Sequence, residues 1–359
     1  MERRAFATGL LASALPAADP RIKVGLITNA EGPHLSAYLE GLAKTGEASA
    51  VVLADDSGQV EAAARKAMGP KLTAVYKTPK EMLQKENPAL ALVTLEAAIS
   101  PPAILAALDA GCHVMAEKPS CIRQDQFESL ASKADAQKRQ LVLALANRID
   151  PVIQETRRII DTKQIGKIYG MDLVIVADQT RLTRPAYHKT WTASKARAGG
   201  GHLIWLGIHW LDLAMYVTGS RIREVAGFIA NVGGQPIDTE DSAVLAMRFD
   251  NGTCGTLTSG YYLDKGYHSL LKVWGSEGWV SVQKHTSKPP MEWYSRGQLH
   301  PYIGTTEPAG YTPFVRAVVR AAAGADPWPL TTEDSLYVLK TVFAGYKAAE
   351  SGQRRRISS

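Results

Sequence analysis

Cysteine is scarce, and what there is builds nothing: Cys112, Cys121 and Cys254 show no metal-ligand spacing, and an odd count cannot close a disulfide set. Cys112 precedes an apolar run and reads as a small core residue. His34, His202, His268, His285 and His300 also lack ligand spacing, so no metal is expected. Low-complexity tracts and internal repeats are absent, which argues against wholesale disorder. A long hydrophobic run is missing as well. The apolar stretch from Ala7 to Leu15 is too short for a stable membrane anchor. Charge of one sign is not in large excess either. The formal net charge is +6, its visible surplus lying at the ends in Arg3, Arg4, Arg354, Arg355 and Arg356. Without a recognised module, such tails give no reason to expect nucleic acid and read as solvated.

What is present is an ordinary globular composition, 45% hydrophobic and 21% charged, over 359 residues, long enough for two domains with separate cores. Residues 1–20 combine Arg3-Arg4, the short apolar segment and small residues such as Ala12-Ser13-Ala14, the layout of a twin-arginine export signal and hence of a periplasmic or exported protein, the alternative being the alanine-rich N-terminus of a cytoplasmic one. Residues 21–146 alternate short apolar strands with helices. The strands are placed at Arg21 to Ile27, Ala50 to Ala54, Ala74 to Tyr76, Leu90 to Thr94, His113 to Ala116 and Leu141 to Leu145. Such alternation predicts an α/β fold, a doubly wound parallel sheet whose ligands sit at the carboxyl ends of its strands. Residues 147–359 open with a helix from Pro151 to Asp161 and then show longer alternating strands, from Met171 to Ala177, Ile222 to Ala230, Ser242 to Phe249, Thr253 to Ser259 and Ser269 to Val273. Asp250-Asn251-Gly252-Thr253 and Gly275-Ser276-Glu277-Gly278 are turns. Tight turns between alternating strands make this an α+β domain with a mixed, mostly antiparallel sheet. Pro313 to Ala322 and Thr332 to Ser351 are the closing helices.

Two motifs carry the chemistry. Ala116-Glu117-Lys118-Pro119 ends a strand, and Gly199-Gly200-Gly201-His202-Leu203-Ile204-Trp205-Leu206-Gly207-Ile208-His209-Trp210-Leu211-Asp212 opens a later helix. A lysine at a strand end followed by a histidine on such a helix resembles the Gfo/Idh/MocA oxidoreductases, and Thr239-Glu240-Asp241-Ser242 and Phe249-Asp250-Asn251-Gly252 are similar to that family too. The resemblance implies a Rossmann-like first domain, a C-terminal segment packing back near it, and association of copies through the C-terminal sheet. It also assigns Lys118 to hydrogen-bond the reacting oxygen and relay its proton, and His209 to act as general acid/base. Asp212, three residues further along the helix, lies on a similar face and is expected to orient the ring or balance its charge.

A dinucleotide site wants three glycines between the first strand and helix, for a tight turn, a close approach to pyrophosphate and close helix–strand packing. In Thr28-Asn29-Ala30-Glu31-Gly32-Pro33 none of those positions holds glycine, since Thr28, Ala30 and Pro33 stand there. Glu31 is the hardest to accept, because a carboxylate repels pyrophosphate. Free N–H groups at the helix start still favour an anion. Asp55 ends the second strand where an acid binds ribose hydroxyls, which favours NAD over NADP. The expected cofactor contacts are thus Thr28, Asn29, Ala30, Asp55 and Glu117.

The second departure is Trp205, four residues before His209, where family dehydrogenases commonly carry aspartate. An indole offers an N–H and a stacking face instead of a carboxylate. Trp205, Tyr187 and Trp191 are expected to bind a small sugar or polyol, with His188, Lys195 and Arg197 on the same loop, the alternatives being that Trp205 fills the cleft and that Trp191 packs in a core or interface. Three functions follow: an NAD(P)-dependent oxidoreductase acting on a secondary hydroxyl of a sugar, sugar acid or cyclitol; an enzyme with tightly held NAD that cleaves glycosides or exchanges redox equivalents between sugars; and a non-catalytic sugar-binding or scaffold protein on a degenerate dehydrogenase fold.

Overall fold

The computed structural model describes residues 20–263 and 265–358, so the expected export signal lies outside the described residues except for Pro20. The first six strands are β1 (Ile22–Thr28), β2 (Ala48–Asp55), β3 (Leu72–Tyr76), β4 (Leu90–Thr94), β5 (His113–Ala116) and β6 (Leu141–Leu143). Between them run α1 (Leu35–Lys44), α2 (Glu61–Met68), α3 (Pro79–Glu86), α4 (Ser100–Asp109) and α5 (Gln124–Ala136). The strands pair in parallel in the order β3-β2-β1-β4-β5-β6. Every residue of β4 is buried, as a strand covered by helices on both faces requires. The order reverses beside β1, so the crevice above β1 and β4 is where a ligand of such a sheet binds. The helix α5 was not expected from sequence. Its side chains give only a weak apolar stripe, and it begins at Arg123, whose N–H donates to the Gln126 side chain at 3.1 Å, in place of a conspicuous Ser or Thr cap.

The second half begins with α6 (Pro151–Asp161), capped by Asp150, whose carboxylate accepts from the Val152 N–H at 2.9 Å. Next come β7 (Ile168–Asp178), the short α7 (Lys195–Ala198), α8 (Ile208–Thr218) and β8 (Ile222–Ala230). The strands β9 (Ser242–Phe249), β10 (Cys254–Leu263), β11 (Tyr267–Gly275), β12 (Gly278–Val282), β13 (Met291–Ser295) and β14 (Gln298–Pro301) follow. The chain closes with α9 (Tyr311–Ala322), α10 (Thr332–Ser351) and β15 (Arg355–Arg356). Nine strands form one sheet in the order β14-β13-β12-β11-β7-β10-β9-β8-β15. Only β7 and β10 run parallel, so the sheet is mixed and mostly antiparallel. The turns after Phe249 and Gly275 join antiparallel neighbours, as their sequences predict.

Period-2 register sorts this sheet into two faces. Leu245, Leu257, Leu173 and Leu271 lie in one inward row, buried on α8 and α10. Phe228, Val244, Thr258, Val174 and Leu270 form the corresponding outward row. The basic C-terminus is not loose: Arg355 and Arg356 pair with β8, Arg354 and Arg356 bind Glu224, and Ile357 is buried.

The halves interlock. Helix α9 packs on α1, while α10 lies across α5 and the edge strand β6. That edge would otherwise present unpaired N–H groups. Thr332 Oγ1 accepts from the Leu141 N–H at 2.9 Å and Ser335 Oγ from the Leu143 N–H at 3.0 Å, so two hydroxyls on one helical face stand in for the missing strand.

Candidate active site

The glycine run before α8 is a packing requirement. A Cβ on Gly201 would meet the Glu240 carbonyl oxygen at 1.9 Å, and one on Gly200 would meet the Tyr346 hydroxyl at 2.0 Å. With nothing but hydrogen there, the buried Glu240 carboxylate reaches the N–H groups of Gly201 and Leu203 and the hydroxyl of Tyr346. A carboxylate on the first N–H groups is how a buried helix start is satisfied. The segment Leu203–Gly207 then winds as a π-helical turn before α8 begins, and Trp205 sits inside it. Such turns re-aim side chains, often at functional sites.

That turn brings the two sequence motifs together. Lys118 follows β5 and is buried, with Nζ donating to the Trp205 carbonyl at 2.8 Å and lying 3.3 Å from the centroid of the Trp205 ring. Lys118, Trp205 and His209 all line one cavity of about 440 Å³ between the two halves. Burial pushes the Lys118 amine down to about 8, opposed by the nearby Glu117 carboxylate and reinforced by Arg181. Burial also holds the His209 imidazole well below its usual range, with Lys118, His34 and Lys284 adding to the effect. His209 is therefore neutral near pH 7, and its buried Nδ1 has no hydrogen-bond partner. A neutral imidazole beside an amine that titrates just above neutrality can accept and pass on a proton.

Four sequence-derived roles need correction. Asp212 does not orient His209, because its carboxylate is taken by a fork of hydrogen bonds from Arg148, 2.6 to 3.1 Å long. Arg148 also reaches Asp334 at 3.0 Å, so this buried group ties α8 to the N-terminus of α10. Glu117 does not line the cavity. It lies beneath it, accepting from Tyr38 and contacting His34 Nδ1 at 3.0 Å, 3.9 Å from Lys118 Nζ. Trp191 is buried behind Trp205, edge-on at 5.2 Å between ring centroids. Tyr187 packs instead with Ala177, Leu182 and Tyr261. Of the expected substrate contacts, Trp205 alone lines the cavity.

Several lining residues escaped the sequence reading: His34, Asn147, Arg181, Tyr267, Lys284, His285 and Tyr311. They come from six separate segments, and no spacing rule links them. His34 carried a faint signal, next to Pro33 at a helix start. It adopts a left-handed conformation there (φ 54°), and its ring stacks on Tyr311 at 3.9 Å and faces Trp205 at 6.2 Å.

The residues above β1 fit a dinucleotide despite the missing glycines. Gly32 takes over the close approach, since a Cβ on it would meet Thr28 Oγ1 at 2.3 Å and the Thr94 carbonyl at 2.8 Å. The turn is closed by Asn29, whose carbonyl accepts from Gly32 N and whose side chain accepts from Glu31 N at 3.0 Å. Glu31 turns to Arg197 at 3.2 Å, and the same guanidinium binds Glu96, which removes the objection that Glu31 stands unpaired before an anion. No side chain caps α1, and since Ala37 and Tyr38 donate to the His34 carbonyl, only the N–H groups before them remain for an anion. Asp55 accepts from Ser57 and from the Val60 N–H, and Ser57 Oγ accepts from Ala30 N at 3.2 Å. The acid at the end of β2 thereby braces the loop that follows β1.

Comparison with known proteins agrees with this geometry. Residues 24–145 match the oxidoreductase family with the NAD-binding Rossmann fold, and residues 153–281 match the Gfo/Idh/MocA C-terminal domain. The chain is 22% identical over 292 residues to a myo-inositol 2-dehydrogenase of Thermotoga maritima, covering 78% of this chain and 82% of that one. It is 28% identical over 215 residues to a D-glucoside 3-dehydrogenase of Escherichia coli, covering 55% and 59%. The WlbA dehydrogenase of Bordetella pertussis, solved with NADH and UDP-GlcNAcA, shares the fold with a TM-score of 0.83 at 20% identity, over 96% of this chain and 100% of that one. Family matches over both halves, on a chain whose lysine and histidine motifs meet in one cleft, show that it belongs to the Gfo/Idh/MocA oxidoreductase family.

Proposed function

We propose that this oxidoreductase uses NAD to oxidise a secondary hydroxyl of a sugar, sugar acid or cyclitol, with Lys118 and His209 at the reacting hydroxyl. The observation that carries this reading is their convergence, from motifs far apart in sequence, on one cavity beside the strand ends. When bound, the nicotinamide takes up the hydride that leaves the carbinol carbon. The chain's own residues handle the proton. Lys118 Nζ donates a hydrogen bond to the substrate oxygen, holding it against the Trp205 face, and the neutral His209 ring takes the hydroxyl proton as the carbonyl forms. Thr28, Asn29, Ala30, Asp55 and the free N–H groups of α1 would hold the dinucleotide, and the carboxylate of Asp55 favours NAD over NADP. Isothermal titration with NAD and NADP tests the cofactor. Binding of neither overturns the reading. Lys118→Ala and His209→Ala, each with unchanged circular dichroism, should each lower kcat by roughly a hundredfold or more. Turnover that survives both would remove them from the reaction, whereas a wild-type protein that turns over none of these substrates would favour the scaffold reading that the lost glycines and Trp205 suggest.

Two further parts of the proposal rest on other features. Arg3-Arg4 and the short apolar run support twin-arginine export, and Arg3→Lys with Arg4→Lys should then retain the protein in the cytoplasm. The outward row from Phe228 to Leu270, with Phe228 85% exposed, supports association of copies through the C-terminal sheet.

A further inference from the structure

The charges around the cavity are one-sided. His34, Lys118, Arg181, Lys284 and His285 line it, and none of its lining residues is Asp or Glu. Both lysines have a carboxylate close by. Lys284 is ion-paired with Asp150, His34 meets Glu117, and Glu117 lies 3.9 Å from Lys118 Nζ. Arg181 differs. It ends a short helical turn that follows β7 and is fixed by Asp178, whose carboxylate accepts from Thr180 N at 2.7 Å. Its guanidinium lies 5.2 Å from the centroid of the Tyr261 ring and donates to the Tyr267 hydroxyl at 3.2 Å. Among the described residues no carboxylate makes an ion pair with it; Asp178, three residues back, is coupled to its charge without contact and is itself partly exposed to solvent. Two tyrosines thus hold a partly buried guanidinium at the wall of the reaction cavity, in a position usually stabilised by an acid.

We infer that Arg181 binds a carboxylate of the substrate, so that the preferred substrates are polyhydroxy acids, aldonates or uronates, rather than neutral sugars or cyclitols. This rests on the dehydrogenase reading above and selects among its three substrate classes. A planar guanidinium matches a carboxylate by two parallel hydrogen bonds, and the Tyr267 hydroxyl keeps the fork from rotating. The aromatic walls of Trp205, Trp210 and Tyr311 suit the carbon skeleton of a hexose-sized acid. A phosphate dianion asks for more: with Lys284 committed to Asp150, one unpaired cation remains at this wall to meet one negative charge.

The test uses the purified full-length protein with NAD and a panel of D-gluconate, D-glucuronate, D-glucose, myo-inositol and D-glucose 6-phosphate. The expected kcat/KM for at least one carboxylate exceeds that for the neutral compounds by tenfold or more. Arg181→Gln, which can still hydrogen-bond Tyr267, should lower the ratio of carboxylate to neutral kcat/KM at least tenfold, mainly through KM, and Arg181→Lys should restore part of it. Equal or better turnover of neutral sugars, or an unchanged ratio in Arg181→Gln, overturns the inference, as does preference for the phosphate. Isothermal titration of D-gluconate and D-glucuronate into the NAD-saturated protein separates the two levels of argument. Binding of either acid that is lost in Arg181→Gln upholds the inference even if no compound is oxidised, in which case the dehydrogenase reading fails alone. Binding of neither, or binding that Arg181→Gln leaves intact, sinks the inference alone.

Discussion

Lys118 is held where a charge is least stable, and its surroundings predict how the reaction responds to pH. The folded state lowers the affinity of this amine for its proton, from the usual lysine range to about 8, so folding favours the neutral form. At pH 7 the ammonium must be carried into the core, which destabilises the fold. The penalty is relieved as pH rises through about 8, the folded value, toward the unfolded one. Lys118→Met should therefore raise the free energy of unfolding at pH 7, on the order of 1–3 kcal/mol by denaturant titration, while abolishing turnover. In oxidation, kcat/KM should climb as pH passes about 8, where Nζ becomes able to relay a proton. Glu117 holds that amine up, so Glu117→Gln should shift the climb to lower pH; a shift upward would contradict the assignment. Asp212 teaches the opposite lesson about helix spacing. Three residues of separation put it near the face of His209, but Arg148 offered a better partner. Asp212→Asn leaves that guanidinium buried with a weaker partner and should cost about 3–5 kcal/mol of stability in urea unfolding.

Among the elements, α10 was readable in its bounds and unreadable in its work. Its start at Thr332 was visible in sequence, and the structure closes that start with a capping box between Thr331 and Asp334. That Thr332 and Ser335 would satisfy the edge of β6 was not, since nothing local marks a hydroxyl for a strand almost two hundred residues away. Ser335→Ala should leave the Leu143 N–H unpaired and destabilise by about 1–3 kcal/mol, with loss of hydrogen-exchange protection at Leu143 ahead of the rest of the sheet. The short strands β12 to β14 were passed over for a related reason. Turns and aromatic residues break their alternation, and their identity as strands comes from pairing with β11 and one another.

For the whole molecule, α10 bridges the two sheets, packing on β6 of one and β8 of the other, and the cavity takes Ile175 from the inward face of the larger sheet, opposite its open row. If copies associate through that face, Phe228→Asp should convert the assembly to a monomer in light scattering after gel filtration, without loss of the Lys118-dependent reaction. A wild-type monomer would show instead that the exposed row stays solvated.

What the chain determined locally was the alternation of strand and helix in its first half, the turns of its second, and the two motifs, because each depends on periodicity or on residues close in sequence. The expectation of Asp212 beside His209 failed because a helix face fixes direction but not partner. The tertiary structure alone decided that Arg148 would claim Asp212, that Arg197 would neutralise Glu31, and that Arg181 would reach the cavity held by the Tyr267 hydroxyl. Electrostatic energies vary with distance and burial, and both are set by which segments the fold brings together, not by their order along the chain.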